Sequence, residues 1–155
     1  MRWFCRSGFR ASILAVLLLF QVGCASEQSS TPLTRTIQIQ QTWQLQPGDT
    51  IANYAVVAGL GDISIRLGGN SVYAPFDGEV QKNVADCVLF SSADVPAYLF
   101  RLCGLNQPRV GTITQGQAIG SGEFVHIATL RKQPEGTWAM VEPAQDILEK
   151  LLGNS

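Results

Sequence analysis

Across residues 36–46 every apolar side chain falls on an odd position: Ile37, Ile39, Trp43 and Leu45 are spaced by Gln and Thr. Successive side chains of an extended chain point to opposite faces, so this period of two predicts a half-buried β-strand. Pro47-Gly48-Asp49 ends the run. Residues 52–58 form another apolar stretch, Gly59 and Gly61 bracket a turn, and Ile63, Ile65 and Leu67 alternate again before Gly68-Gly69-Asn70. Strands this short, punctuated by glycine turns about every 8–12 residues, predict an all-β sandwich or barrel. A short helix is expected at the C-terminal end: after Pro143, Ile147, Leu148, Leu151 and Leu152 make a single apolar stripe that Gly153 terminates. No clear internal repeat is visible.

The N-terminal residues have a different character. Arg2, Arg6 and Arg10 precede the apolar run ASILAVLLLF, and small residues follow at Gly23, Cys24 and Ala25, the three-part pattern of a secretory signal peptide. As a helix the run spans about 15 Å, half of the roughly 30 Å of a bilayer core, so a permanent transmembrane helix is not expected. The stretch Phe20-Gln21-Val22-Gly23-Cys24 resembles the lipobox of bacterial lipoproteins, although Gln21 stands where that family usually places Leu. In those proteins a small residue precedes a Cys that is diacylated on sulfur, with chains such as palmitate, and becomes the mature N-terminus. The resemblance implies lipidation of Cys24; cleavage after Ala25, at an ordinary site with Gly23 and Ala25 as its small residues, is the alternative.

This divides the 155 residues into a signal peptide at 1–23, a flexible polar tether at 24–35 and one β domain at 36–155. Ala25 is not Asp, which in lipoproteins of double-membrane bacteria favours outer-membrane sorting. The expected location is therefore the bacterial cell envelope, lipid-anchored to a membrane, the outer one favoured, and facing the periplasm. Without Arg2, Arg6 and Arg10 the 11 basic residues fall to 8 against 12 acidic ones, a net charge of −4. That balance gives no electrostatic basis for binding nucleic acid.

If Cys24 carries lipid, Cys87 and Cys103 are the two cysteines left in the mature domain, and export places them in an oxidising compartment where a disulfide is the default. Folding residues 87–92 and 98–103 into a hairpin around Ala93-Asp94-Val95-Pro96-Ala97 sets Cys87 opposite Cys103, Val88 opposite Leu102 and Phe90 opposite Phe100. Apolar then meets apolar on one face, so sulfur and core select the same register. Closing a loop of about 17 residues contributes about 3 kcal/mol on the chain-entropy model. A short helix at 94–102 ended by Gly104 is the competing arrangement. Redox catalysis is disfavoured, since no C-x-x-C spacing is present to lower a thiol pKa.

Two stretches, VYAPFDGEV at 72–80 and VGTITQGQAIGSG at 110–122, carry a family resemblance. In the lysostaphin-like (M23) zinc metallopeptidases that cut peptidoglycan cross-links, an A-P-x-D-G-x-V turn is followed by a Tyr-containing hairpin, a V-x-x-G-Q-x-I-G segment, a His-bearing strand and a V-D-P element. The matching pieces are Ala74 to Val80, Tyr98 to Leu102, Gly116 to Gly120, His126 to Arg131 and Val141-Glu142-Pro143, in that order over about 90 residues. The resemblance implies a barrel-sandwich hybrid, all-β, with a short C-terminal helix. Biotinyl and lipoyl carrier domains share the first turn, but they attach their cofactor through a Lys in a tight hairpin, and no Lys occurs between Lys82 and Lys132.

The family holds Zn²⁺ with a His and an Asp four residues apart and the second His of an H-x-H pair, whose first His acts as base. Three protein ligands and an open water position are what make a hydroxide nucleophile. Asp62 stands at the Asp position, but Ala58 replaces the His, and His126 is the single histidine of the chain. The resemblance therefore implies an incomplete zinc-ligand set, with no resident metal or cofactor and no catalytic residue. The nearby acids Asp77, Glu79 and Glu123 do not replace the missing imidazoles, and Asp77 is expected to hydrogen-bond its own turn beside Gly78. Asp62, Arg101 and His126 remain as a candidate ligand cleft. Arg101 falls near a position where relatives carry a further active-site His; it is read as an ion pair with one of the acids or as a contact to an anionic ligand. His126 is read as a packed or hydrogen-bonded strand residue, and Tyr73, Phe76, Tyr98 and Trp138 as core or groove aromatics.

The expected function is a non-catalytic envelope lipoprotein whose degenerate peptidase-like domain binds peptidoglycan or a cell-wall protein. The alternatives are a divergent metal-dependent peptidoglycan hydrolase using Asp62, His126 and a carboxylate, and a purely structural envelope component.

Overall fold

Along the strand-forming stretch FVHIATLRK, Val125, Ile127 and Thr129 point to one face and His126 and Ala128 to the other, and this strand is the spine of the fold. The structure is a computed structural model that describes residues 37–39 and 43–153. The expected signal peptide at 1–23, the tether at 24–35 and Cys24 lie outside the described residues. The described strands are β1 (Ile37–Ile39), β2 (Thr50–Ile51), β3 (Tyr54–Leu60), β4 (Asp62–Arg66), β5 (Ser71–Tyr73), β6 (Gly78–Lys82), β7 (Val88–Ser91), β8 (Tyr98–Cys103), β9 (Gly111–Ile113), β10 (Ala118–Ser121), β11 (Phe124–Lys132) and β12 (Trp138–Val141). Helix α1 (Gln145–Leu151) follows them. Among the described residues no helix is long and apolar enough to cross a membrane.

Ten strands form one sheet in the order β2-β3-β4-β11-β8-β7-β6-β9, an open path with β12 beside β11 and β1 parallel to β12; β5 and β10 form a second, two-stranded sheet. On one edge β11 pairs first with β4 and then with β12, while its other edge pairs with β8 from His126 to Arg131. The all-β architecture with a short C-terminal helix is the expected one. Alternate residues of the large sheet, among them Ile63, Ile65, Phe90, Phe100, Leu102, Val125 and Ile127, are buried in one cluster with Val72, Ile119, Leu148 and Leu151 from the small sheet and the helix. The helix keeps the expected stripe, and it ends where Gly153 takes φ +79° and donates its N–H to the Lys150 carbonyl.

The hairpin at 87–103 adopts the strand register and not the competing helix: Val88 opposes Leu102 and Phe90 opposes Phe100. The Cys87–Cys103 disulfide closes it, and the two phenyl rings lie 6.1 Å apart between centroids. Burial favours this outcome, because Phe90, Phe100 and Leu102 all reach the core from strands and are nearly inaccessible.

Three sequence expectations are altered. Among the described residues, the strand expected across 36–46 forms a ladder at β1, whereas residues 43–46 have no strand partners. Their amides are taken instead by a carboxylate distant in sequence: Glu142 accepts the N–H of Gln44 at 2.9 Å and of Leu45 at 2.6 Å. Gly59, expected to flank a turn, sits inside β3, where a Cβ would come within 2.8 Å of the Leu45 carbonyl. Trp43 is 5% exposed and packs in the core. Glu142→Gln keeps the shape but offers an NH₂ to one of those donors, so a loss of about 1–2 kcal/mol is expected. Urea melts monitored by tryptophan fluorescence check it, and an unchanged midpoint contradicts the role of the carboxylate. The apolar stretch at 52–58 is likewise not one strand: Ala52 and Asn53 take φ +49° and +69° as the two-residue turn between β2 and β3.

Candidate functional site

The face of the large sheet turned away from the core carries the residues singled out in the sequence. Strand register sets them in two neighbouring rows. In one, Ala58 opposes Ser64, Ser64 opposes His126, and His126 opposes Cys103. In the next, Leu60 opposes Asp62 and Arg101 opposes Ala128, so Asp62 and Arg101 flank the small side chain of Ala128. A buried alanine between them leaves room for the guanidinium to cross, and Arg101 Nη2 lies 3.9 Å from Asp62 Oδ2. Both side chains are about one third exposed, so the pair is solvent-screened and contributes at most about 1 kcal/mol. The Arg101 Nε is buried and has no hydrogen-bond partner.

His126 is half-buried, and its Nδ1 shares a hydrogen bond of 2.7 Å with the hydroxyl of Ser64, a residue only 4% exposed. Ser64 was not singled out in the sequence. No local motif marks it, because its partner lies 62 residues away and the contact exists only through the β4–β11 register. The structure thus brings Asp62 and Arg101 together directly and sets His126 one row away with a partner of its own.

Asp77 differs from expectation. Its carboxylate accepts the N–H of Gln115 at 2.8 Å, across 38 residues, instead of closing its own turn. The Ala74 N–H donates to the Gln117 carbonyl and the Gly116 N–H to the Ala74 carbonyl, both at 2.9 Å. The two motif segments are therefore stapled to each other, which gives their joint occurrence a structural cause. Glu79 and Glu123 are exposed. The aromatics do not converge on one groove: Phe76 lies under the Lys150 ammonium at 4.9 Å, Tyr98 packs against the core, and Gly153 lies against the ring of Tyr73.

The zinc ion implied by the family resemblance does not fit this donor set. Ala58 offers no ligand atom, Asp62 faces a guanidinium that would repel a divalent cation, and His126 supplies one imidazole. Among the described residues no group of three or more His, Cys, Asp or Glu is placed to hold a metal ion. What the face presents is a cation, a carboxylate and an imidazole on a sheet surface, suited to polar contacts with a ligand laid across it.

No protein-family model matches the chain, and no curated protein matches it. Among solved structures, it is similar to a point mutant of the catalytic domain of the prophage-encoded M23 protein EnpA from Enterococcus faecalis. The two share 19% identity over 70% of this chain and 88% of that one, with a TM-score of 0.40.

Proposed function

We propose that the chain is a non-catalytic envelope lipoprotein, anchored through a lipid on Cys24 and facing the periplasm, the outer membrane favoured. Its β domain is a degenerate relative of the M23 peptidases and binds peptidoglycan or a cell-wall protein through the Asp62, Arg101 and His126 face. The observation that most supports this reading is the ion pair between Arg101 and Asp62, which occupies the one carboxylate aligned with the family's metal ligands. Ala58 and the Ser64–His126 hydrogen bond support it further, because the scaffold keeps the motif turns while the ligand positions serve other contacts.

Metal analysis of the purified chain after dialysis from excess Zn²⁺, paired with digestion of purified sacculi, tests the proposal. Sub-stoichiometric zinc and no released peptide are expected; stoichiometric zinc together with released fragments overturns it. His126→Ala separates the readings further. A binding module loses about 1 kcal/mol of stability, since the Ser64 hydroxyl is left without its partner, and co-sediments more weakly with sacculi or with its protein partner. A hydrolase loses turnover. Mass spectrometry of the mature N-terminus tests the anchor, a diacylglyceryl mass on Cys24 being the expected result.

A further inference from the structure

On the opposite face of the sheet, β8, β11 and the start of α1 line a half-open pocket of about 310 Å³. That size lies at the lower end of the roughly 300–1,000 Å³ of small-molecule sites. Tyr98, Phe100 and Ile147 provide apolar walls. Thr129, on the central strand, lines the cavity, is only 2% exposed, and its hydroxyl has no hydrogen-bond partner. A buried hydroxyl with no partner in the protein costs stability that a valine of nearly the same shape would not. The polar atom therefore needs a reason beyond the fold.

The charges around the cavity sharpen this. Glu142 also lines it, but its carboxylate is committed to the Gln44 and Leu45 amides. Arg131 on β11 and Asp146 on α1 are exposed and have no ion-pair partner among the described residues. One free cation, one free anion, apolar walls and a hydroxyl that both donates and accepts are complementary to a small zwitterion with an apolar body. We propose that this cavity binds an apolar amino acid or dipeptide with free termini. Arg131 takes the carboxylate, Asp146 takes the ammonium, and the Thr129 hydroxyl bonds the backbone between them. The proposal is independent of the cleft on the other face.

Isothermal titration of the purified full chain with alanyl-leucine tests it, with N-acetyl-alanyl-leucine amide as the probe lacking both charges. Saturable binding of the free dipeptide is expected, and none of the blocked one. Thr129→Val is expected to raise the melting temperature and weaken binding about tenfold, the scale of one lost hydrogen bond. Because that variant gains stability, a failure to fold does not confuse the result, and Arg131→Gln, on an exposed side chain, is the second variant expected to weaken binding. Equal binding of the free and blocked dipeptides, no binding by the wild type up to millimolar ligand, or unchanged affinity in Thr129→Val each overturns the proposal.

Discussion

Gly78→Ala is expected to destabilise the domain by about 3 kcal/mol or more, lowering its melting temperature by roughly 10 °C. The residue is the glycine of the A-P-x-D-G-x-V turn, and its φ lies outside the left-handed region, so the reason for glycine there is space and not backbone freedom. A Cβ at this position would collide with the Ser91 carbonyl and meet two atoms of the Phe90 ring at 2.9 Å. Neither neighbour can yield cheaply. Ser91 belongs to β7, paired with β6 at Glu79, and Phe90 is fully buried against Phe100. Thermal melts of the variant check the expectation. A midpoint within about 2 °C of wild type would mean that β6 does not approach β7 this closely.

That glycine also shows what could be read in the chain before folding and what could not. Period-two alternation located Ile63, Ile65 and the hairpin pairs Val88–Leu102 and Phe90–Phe100, since burial of one face and the reach of two cysteines demand the same pairing. The helical stripe was equally legible, because Leu148 and Leu151 bury a face that nothing else in the C-terminal stretch can cover. Residues 43–46 escaped because alternation reports which side chains are buried and not where the backbone amides find acceptors; a carboxylate 97 residues away supplied one. The same limit applies to the cleft. Asp62, Arg101 and His126 were visible as chemical types, but the pairing of Asp62 with Arg101 and of His126 with Ser64 follows from strand registers, and so does the bond from Asp77 to Gln115. The Thr129 cavity was invisible for a related reason. A threonine is an ordinary strand residue until its hydroxyl is found buried without a partner.

Replacing Cys87 and Cys103 together by serine is expected to cost about 3 kcal/mol, with a fall in melting temperature of roughly 10 °C. The bond spans 16 residues, so its largest effect is on the unfolded chain, which gains the freedom of an unclosed loop. The folded state should keep its register, because Val88, Phe90, Phe100 and Leu102 remain buried without the sulfur link. A second consequence is local. Ala85 and Asp86, just before Cys87, hold φ of +55° and +56° in the β6–β7 turn, a conformation unfavourable for alanine in particular. With the Cys87 end no longer tied to β8, that turn loses the constraint holding Ala85 there, and amide exchange at Ala85 and Asp86 should quicken more than in β8. The urea slope should rise as the midpoint falls, since an unlinked denatured chain exposes more surface. A variant melting within about 2 °C of wild type, with unchanged slope, would show that this loop is already closed by its hydrophobic pairs alone.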